Sequence, residues 1–142
     1  MNRKITTVVA VTALTSASFA LMLHFRPEKK TQQPLVIPTS NESERTAYFA
    51  SHGWEVREIS CSDILIPAVF SEKYSEYAEI QDRQRLPLRE NAGKNAVIYV
   101  YDIRNFRPDN QKMLAELIVC EGNAVASLVY SEDGKTIVSP VS

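Results

Sequence analysis

The sequence predicts an α+β fold: two short helices packed on an antiparallel β-meander sheet, preceded by an N-terminal hydrophobic helix. Three observations lead there. An uncharged apolar run opens the chain, helix start and stop residues punctuate the stretch from Asn41 to Pro87, and short strands linked by tight turns follow from Ala96 onward. Helices that precede a run of hairpin-linked strands segregate from the sheet, which is the α+β arrangement.

After the basic start at Arg3 and Lys4, the run from Ile5 to Phe25 carries no formal charge, no proline and no glycine. About 20 helical residues at ~1.5 Å each cover a ~30 Å hydrocarbon core, and an unbroken helix closes its own backbone hydrogen bonds, as lipid requires. Two readings stand. Small residues at Ser18 and Ala20 fit a cleaved signal peptide. The apolar continuation through Leu21-Met22-Leu23 fits an uncleaved signal-anchor, the favoured reading. Basic residues flank both ends (Arg3 and Lys4; Arg26, Lys29 and Lys30), so the positive-inside comparison is even. With almost nothing before the segment, the N-terminus is expected inside and the domain outside. The expected address is the cell membrane, single-pass, with the domain on the extracytoplasmic side; cleavage would make it secreted. No cysteine sits just after the apolar run, so a lipoprotein anchor is excluded.

The expected organisation is a targeting segment at 1–26, an extended linker at 27–40 stiffened by Pro34 and Pro38, and the domain at 41–142. Asn41 with Glu44 three residues on is a helix-start pattern, and Gly53 is the left-handed stop, giving a helix over 42–52. Residues 54–59 (Trp54, Val56 and their neighbours) alternate as a strand, Ser60 to Asp63 read as a turn, and 64–66 read as a short buried strand ended by Pro67. Ser71 caps a second helix, with Tyr74, Tyr77, Ala78 and Gln81 on one face, fading before Pro87. The last third is strands at 96–103, 114–121, 124–130 and 136–139, with hairpin turns at Gly122-Asn123 and Asp133-Gly134.

Of 142 residues, 44% are apolar and 23% charged, which excludes general disorder. A net charge of -1 supplies no field for nucleic acid, and none is expected as a partner. The charge is unevenly distributed. Bases dominate between Arg83 and Arg107, so Arg83, Arg85, Arg89, Lys94, Arg104 and Arg107 form a candidate contact patch, weighed against the commoner reading of a solvated loop.

The order of Arg45, Tyr48-Phe49, His52-Gly53-Trp54-Glu55-Val56, then Ile66-Pro67-Ala68-Val69-Phe70, then Tyr74, Tyr77 and Gln81, followed by Val97-Ile98-Tyr99-Val100-Tyr101 and Leu117-Ile118-Val119, resembles a family of small bacterial proteins, domain of unknown function 4830. The likeness covers about residues 44–139. It implies an N-terminal membrane or signal segment followed by this domain, and it brings no activity and no site residues. The Ala126-Ser127 pair stands where the family has a Gly-rich stretch.

Chemistry is sparse. Cys61 and Cys120 are the only cysteines, and in an oxidising compartment they are a candidate disulfide closing a loop of about 60 residues, worth roughly 4 kcal/mol. The alternative is two free thiols, Cys120 buried. A Cys61–His52 nucleophile lacks the signature of an orienting group or oxyanion hole, and His52 reads more simply as a helix C-terminal charge. No spacing matches a structural zinc or calcium site, so neither metal nor cofactor is expected. Trp54 and the tyrosines fall at core spacings, which favours packing over a stacking platform. The expected function is therefore a non-enzymatic extracytoplasmic module that binds a protein or envelope partner through a sheet face or the basic region. The alternative is a small enzyme or redox-responsive protein using Cys61 and Cys120.

Overall fold

A computed structural model describes residues 32–138. The hydrophobic segment from Ile5 to Phe25 lies outside the described residues. The chain divides after Gln32, and the unit that begins at Gln33 is the domain considered below. Among the described residues, no helix is long and apolar enough to cross a membrane.

Helix α1 spans Glu42–Ala50 and helix α2 spans Glu72–Arg83. The strands are β1 (Val56–Leu65), β2 (Asn95–Ile103), β3 (Met113–Cys120), β4 (Asn123–Ser131) and β5 (Ile137–Val138). They form one antiparallel sheet in sequence order, β1-β2-β3-β4-β5. The α+β meander expected from the sequence is what forms.

The caps are local chemistry. Asn41 Oδ1 accepts the Glu44 N–H at 2.9 Å, and the Glu44 carboxylate reaches back to the Ser40 N–H at 2.9 Å, satisfying two end groups reciprocally. Gly53 (φ 87) turns the chain out of α1. Ser71 Oγ accepts the Tyr74 N–H at the start of α2.

Three boundaries differ from the sequence reading. The two strands expected around a Ser60-to-Asp63 turn are one ten-residue strand, β1, paired with β2 along its length. A bulge between Glu58 and Ser60 shifts the register, so the alternation skips a residue there and imitates a break. The β3–β4 turn is Glu121-Gly122, not Gly122-Asn123; both residues take positive φ (51 and 78), as a tight hairpin requires, and Asn123 already pairs with Cys120. Residues 33–40 are extended as expected, yet they are not a free linker. Leu35 N–H bonds to Arg85 C=O, Ala124 N–H to Ile37 C=O, and Thr39 N–H to Gly122 C=O, with Thr39 fully buried. The domain therefore starts at Gln33 rather than Asn41, because the outer edge of β4 would otherwise be left unpaired.

The helices lie on opposite faces of the sheet. On the front face, Tyr48 and Phe49 of α1 pack with Tyr101, Ile103, Met113, Ala115, Leu117 and Val129. On the back face, Tyr74, Tyr77 and Ala78 of α2 pack with Ile66, Leu88, Ala96, Ile118, Cys120 and Val125. Arg45 docks α1 onto the front face. Its guanidinium lies 3.9 Å from the centre of the Tyr99 ring, its Nε donates to the Tyr101 hydroxyl, and its Nη2 is 3.7 Å from Glu58. Burial pushes the Tyr101 hydroxyl up to about 12, against the lowering pull of Arg45.

The far edge of the sheet is sealed by side chains as well as by chain. Gln81 Oε1 accepts the Ser127 N–H at 2.8 Å, and Gln84 Nε2 donates to the Ser127 C=O at 2.9 Å. Gln81 of α2 and Gln84 at its C-cap thus do for Ser127 what a neighbouring strand would do. Below them β5 pairs with Val129 and Tyr130, and above them Pro38 bridges Asn123. Among the described residues, β1 at the other edge has no outer partner.

Candidate binding face

The back face is only partly covered. Twelve residues of α2 run about 18 Å, whereas the nine residues of β2 run about 30 Å. The helix covers the end of the sheet bearing Ala96, Ile118, Cys120 and Ala126. Beyond it lies a second set of back-face residues: Val100, Glu116 and Leu128 opposite one another, then Asp102, Leu114 and Tyr130. Val100, Leu114, Glu116 and Tyr130 are half-buried. This half of the face is apolar, aromatic and acidic; Leu128 and Asp102 are buried in it, and α2 reaches it through Tyr77.

Glu116 is its centre. Tyr77 reaches over from α2 and donates its hydroxyl to Glu116 Oε1 at 2.9 Å. The Tyr74 ring lies beside Tyr77, centroids 5.7 Å apart, with Phe70 against Tyr74 at 4.7 Å. Burial among these groups raises the Glu116 carboxyl above its ordinary value, and the Tyr77 hydrogen bond opposes the rise. Burial and then the Glu116 charge raise the hydroxyls of Tyr77, Tyr74 and Tyr130. The carboxylate thus meets one phenol, Tyr77, which is packed against a second, Tyr74. Its neighbours on the other strands differ: Asp102 has Arg107 Nη2 at 3.6 Å, but no ion pair reaches Glu116 among the described residues. Asp102 is 7% exposed, and its Oδ1 has no hydrogen-bond partner among the described residues.

The chain matches no family model, no curated protein and no solved structure.

The residues singled out by sequence fall elsewhere. Cys61 is exposed on β1, Cys120 is buried on β3, and both are free. They belong to strands separated by β2, about 9.5 Å apart in the sheet. They also point to opposite faces, since Cys61 pairs with front-face Tyr99 while Cys120 packs in the back-face core. A disulfide needs Cα atoms within about 7 Å, so this fold does not bridge them. Burial, with Glu121 nearby, pushes the Cys120 thiol up. His52 Nδ1 lies 2.9 Å from the Tyr48 carbonyl, engaged in the end of α1. No hydrogen bond joins it to Cys61 among the described residues.

The basic residues do not gather. Arg83, Arg85 and Arg89 lie at and after the end of α2, where Arg85 binds the Gln33 carbonyl and Arg89 pairs with Asp82 at 2.8 Å. Lys94 precedes β2 and pairs with Glu121, whereas Arg104 and Arg107 follow it, about 30 Å away. Four of the six already have protein partners. An open cleft of about 400 Å³ on the front side is lined by Ser40, Asp63, Asn95, Val119, Glu121 and Gly122. Its Glu121 is the partner of Lys94, and it holds no aromatic side chain.

The tyrosines split between the two expectations. Tyr48 and Tyr101 are core residues, and burial pushes the Tyr48 hydroxyl up to about 12. Tyr77 bonds Glu116, Tyr74 packs beside Tyr77, and Tyr130 lies on the same face opposite Leu114. The residue that sequence reasoning missed is Glu116 itself. Its signal was present: alternation places it on the same side as Leu114, Ile118 and Cys120, an acid in an apolar row.

Proposed function

We propose that this chain is a non-enzymatic extracytoplasmic binding module, held at the membrane by the segment from Ile5 to Phe25, that engages a protein or envelope partner through the open half of the back face. The observation that carries the reading is Glu116, a half-buried carboxylate bonded to Tyr77 and without an ion-pair partner among the described residues, set in an apolar and aromatic surface. Burying an unpaired carboxylate costs free energy, and a groove or face that tolerates this cost is where polar recognition is built into apolar contact. The two free thiols, on strands separated by β2, support this reading over a dithiol redox one. Membership of the family resembled by the Gly53-Trp54-Glu55-Val56 and Ile66-Pro67-Ala68-Val69-Phe70 elements is part of the same proposal.

The test is positional. A photo-crosslinking amino acid is placed at Leu114 on the open half of the back face, or at Thr46 on the exposed side of α1, and intact cells are irradiated. The reading expects a discrete crosslinked species from position 114 and none from position 46. The same products from both positions, or none from position 114, overturn it. Protease added to spheroplasts tests the address: an extracytoplasmic domain is digested before the membrane is broken.

A further inference from the structure

We infer that Glu116, Tyr74, Tyr77 and Tyr130 form a receptor for an organic cation, a primary ammonium or guanidinium group carried on an alkyl stem. The inference rests on the binding-face reading and names the ligand chemistry of that face. Four observations converge. Glu116 has one oxygen engaged by a neutral donor, Tyr77, and no cation pairs with it among the described residues. The Tyr77 hydroxyl meets the carboxylate, the Tyr74 ring packs beside Tyr77 at 5.7 Å between centroids, and Tyr130 on β4 stands diagonal to Glu116 on the same face, opposite Leu114. Aromatic faces attract cations through their quadrupole, and an adjacent carboxylate adds the formal charge. Val100 and Leu114, both half-buried on this face, then offer apolar contact for the stem. Finally, Asp102 stands diagonally across from Glu116 on the same face, about 7 Å away. It is nine-tenths buried with Oδ1 unpartnered among the described residues.

The shape of the charge distribution selects the ligand. A metal ion wants several oxygens converging at short range, and no group of three or more such ligands exists among the described residues. Tyrosine faces with one accepting carboxylate instead suit a large, weakly hydrated or partly desolvated cation. The protein's own cations stay to one side: Arg107 is committed to Asp102, and Arg57 stands on β1 opposite Asp102 rather than Glu116.

The test uses the full-length chain in detergent, with methyl and tyrosine-ring NMR resonances of Val100, Leu114, Leu128 and Tyr130 as reporters. The probes are n-butylammonium, N-acetyl-lysine methylamide, N-acetyl-arginine methylamide and, as the uncharged comparison, n-butanol. The expected result is saturable shifts confined to these residues at millimolar concentration, about tenfold weaker for n-butanol. Glu116→Gln, which conserves shape, weakens binding of the cations about tenfold and leaves n-butanol unchanged; Tyr74→Phe, which keeps the ring, retains binding. Tighter binding of the blocked amino acids than of n-butylammonium assigns the source as a protein side chain; the reverse order assigns it as a free amine. Equal shifts for n-butanol and n-butylammonium, or a Glu116→Gln variant that binds cations as well as the parent, overturn the inference. If a crosslink from Leu114 persists in that case, the face still binds a partner and only the cation assignment has failed.

Discussion

The Tyr77 hydroxyl donates to Glu116 Oε1 at 2.9 Å, tying the middle of α2 to the middle of β3 across the back of the sheet. This bond holds the helix over one end of the face and orients the carboxylate at the margin of the covered region. Tyr77→Phe removes the donor and keeps the ring. Hydrogen bonds to charged groups contribute about 1.5–3 kcal/mol when well buried; with Glu116 half-exposed, a loss of about 1 kcal/mol is expected in urea unfolding. The Glu116 carboxyl also rises further in this variant, because the bond that opposed the rise is gone.

Glu116 makes stability depend on pH in a defined direction. Its folded-state value is raised by burial, so the folded chain holds the proton more tightly than the unfolded chain. Stability therefore falls as pH rises from the unfolded value, about 4.3, through the folded value, and the penalty is complete above it. Glu116→Gln keeps an oxygen to accept from Tyr77 and removes the charge. It is expected to melt higher than the parent at about pH 7, with the difference closing below about pH 4. Thermal melts across that range check the sign.

Gln81 is fully buried, and its Oε1 takes the N–H of Ser127. Gln81→Ala leaves that amide unpaired at the sheet edge and opens a void. The combined cost is about 2–4 kcal/mol. Hydrogen exchange gives the specific signature: the Ser127 amide exchanges faster by far more than its neighbours on the β3 side of the ladder.

Arg45 is packed on Tyr99, bonded to Tyr101 and close to Glu58. Arg45→Met keeps much of the stem and loses the hydrogen bond and the ring–cation contact, for about 2 kcal/mol. Glu58→Gln, at the exposed end of the same pair, costs less than about 1 kcal/mol. The ordering of the two variants in a denaturant titration is the check.

The thiols predict a simple count. Cys61 is exposed and Cys120 buried with its thiol pushed up. One thiol per chain reacts promptly with an aromatic disulfide reagent in the absence of reductant, and the second reacts only on unfolding.

Local chemistry was readable in the sequence, and long-range chemistry was not. The starts of α1 and α2 were legible because Asn41 and Ser71 cap N–H groups three residues away. The meander was legible because each strand pairs with its sequence neighbour. β1 was read as two strands because Ser60, Cys61, Ser62 and Asp63 have turn character, and pairing with β2 overrides it. The seal on β4 was invisible: nothing local says that Gln81, Gln84 and Ile37 will meet Ser127 and Ala124. The basic run between Arg83 and Arg107 failed as a patch for the complementary reason. Neighbours in sequence were carried to opposite ends of β2. Glu116 was half legible, since its face follows from alternation, but its hydrogen-bond donor, Tyr77, comes from α2.

The most direct test is a carboxyl ¹³C titration of Glu116 in the intact protein, repeated with n-butylammonium present. The account predicts a midpoint above the ordinary glutamate range without the amine and a lower one with it, because a bound cation favours the ionised carboxylate. A midpoint at or below the ordinary range, unmoved by the amine, would contradict it.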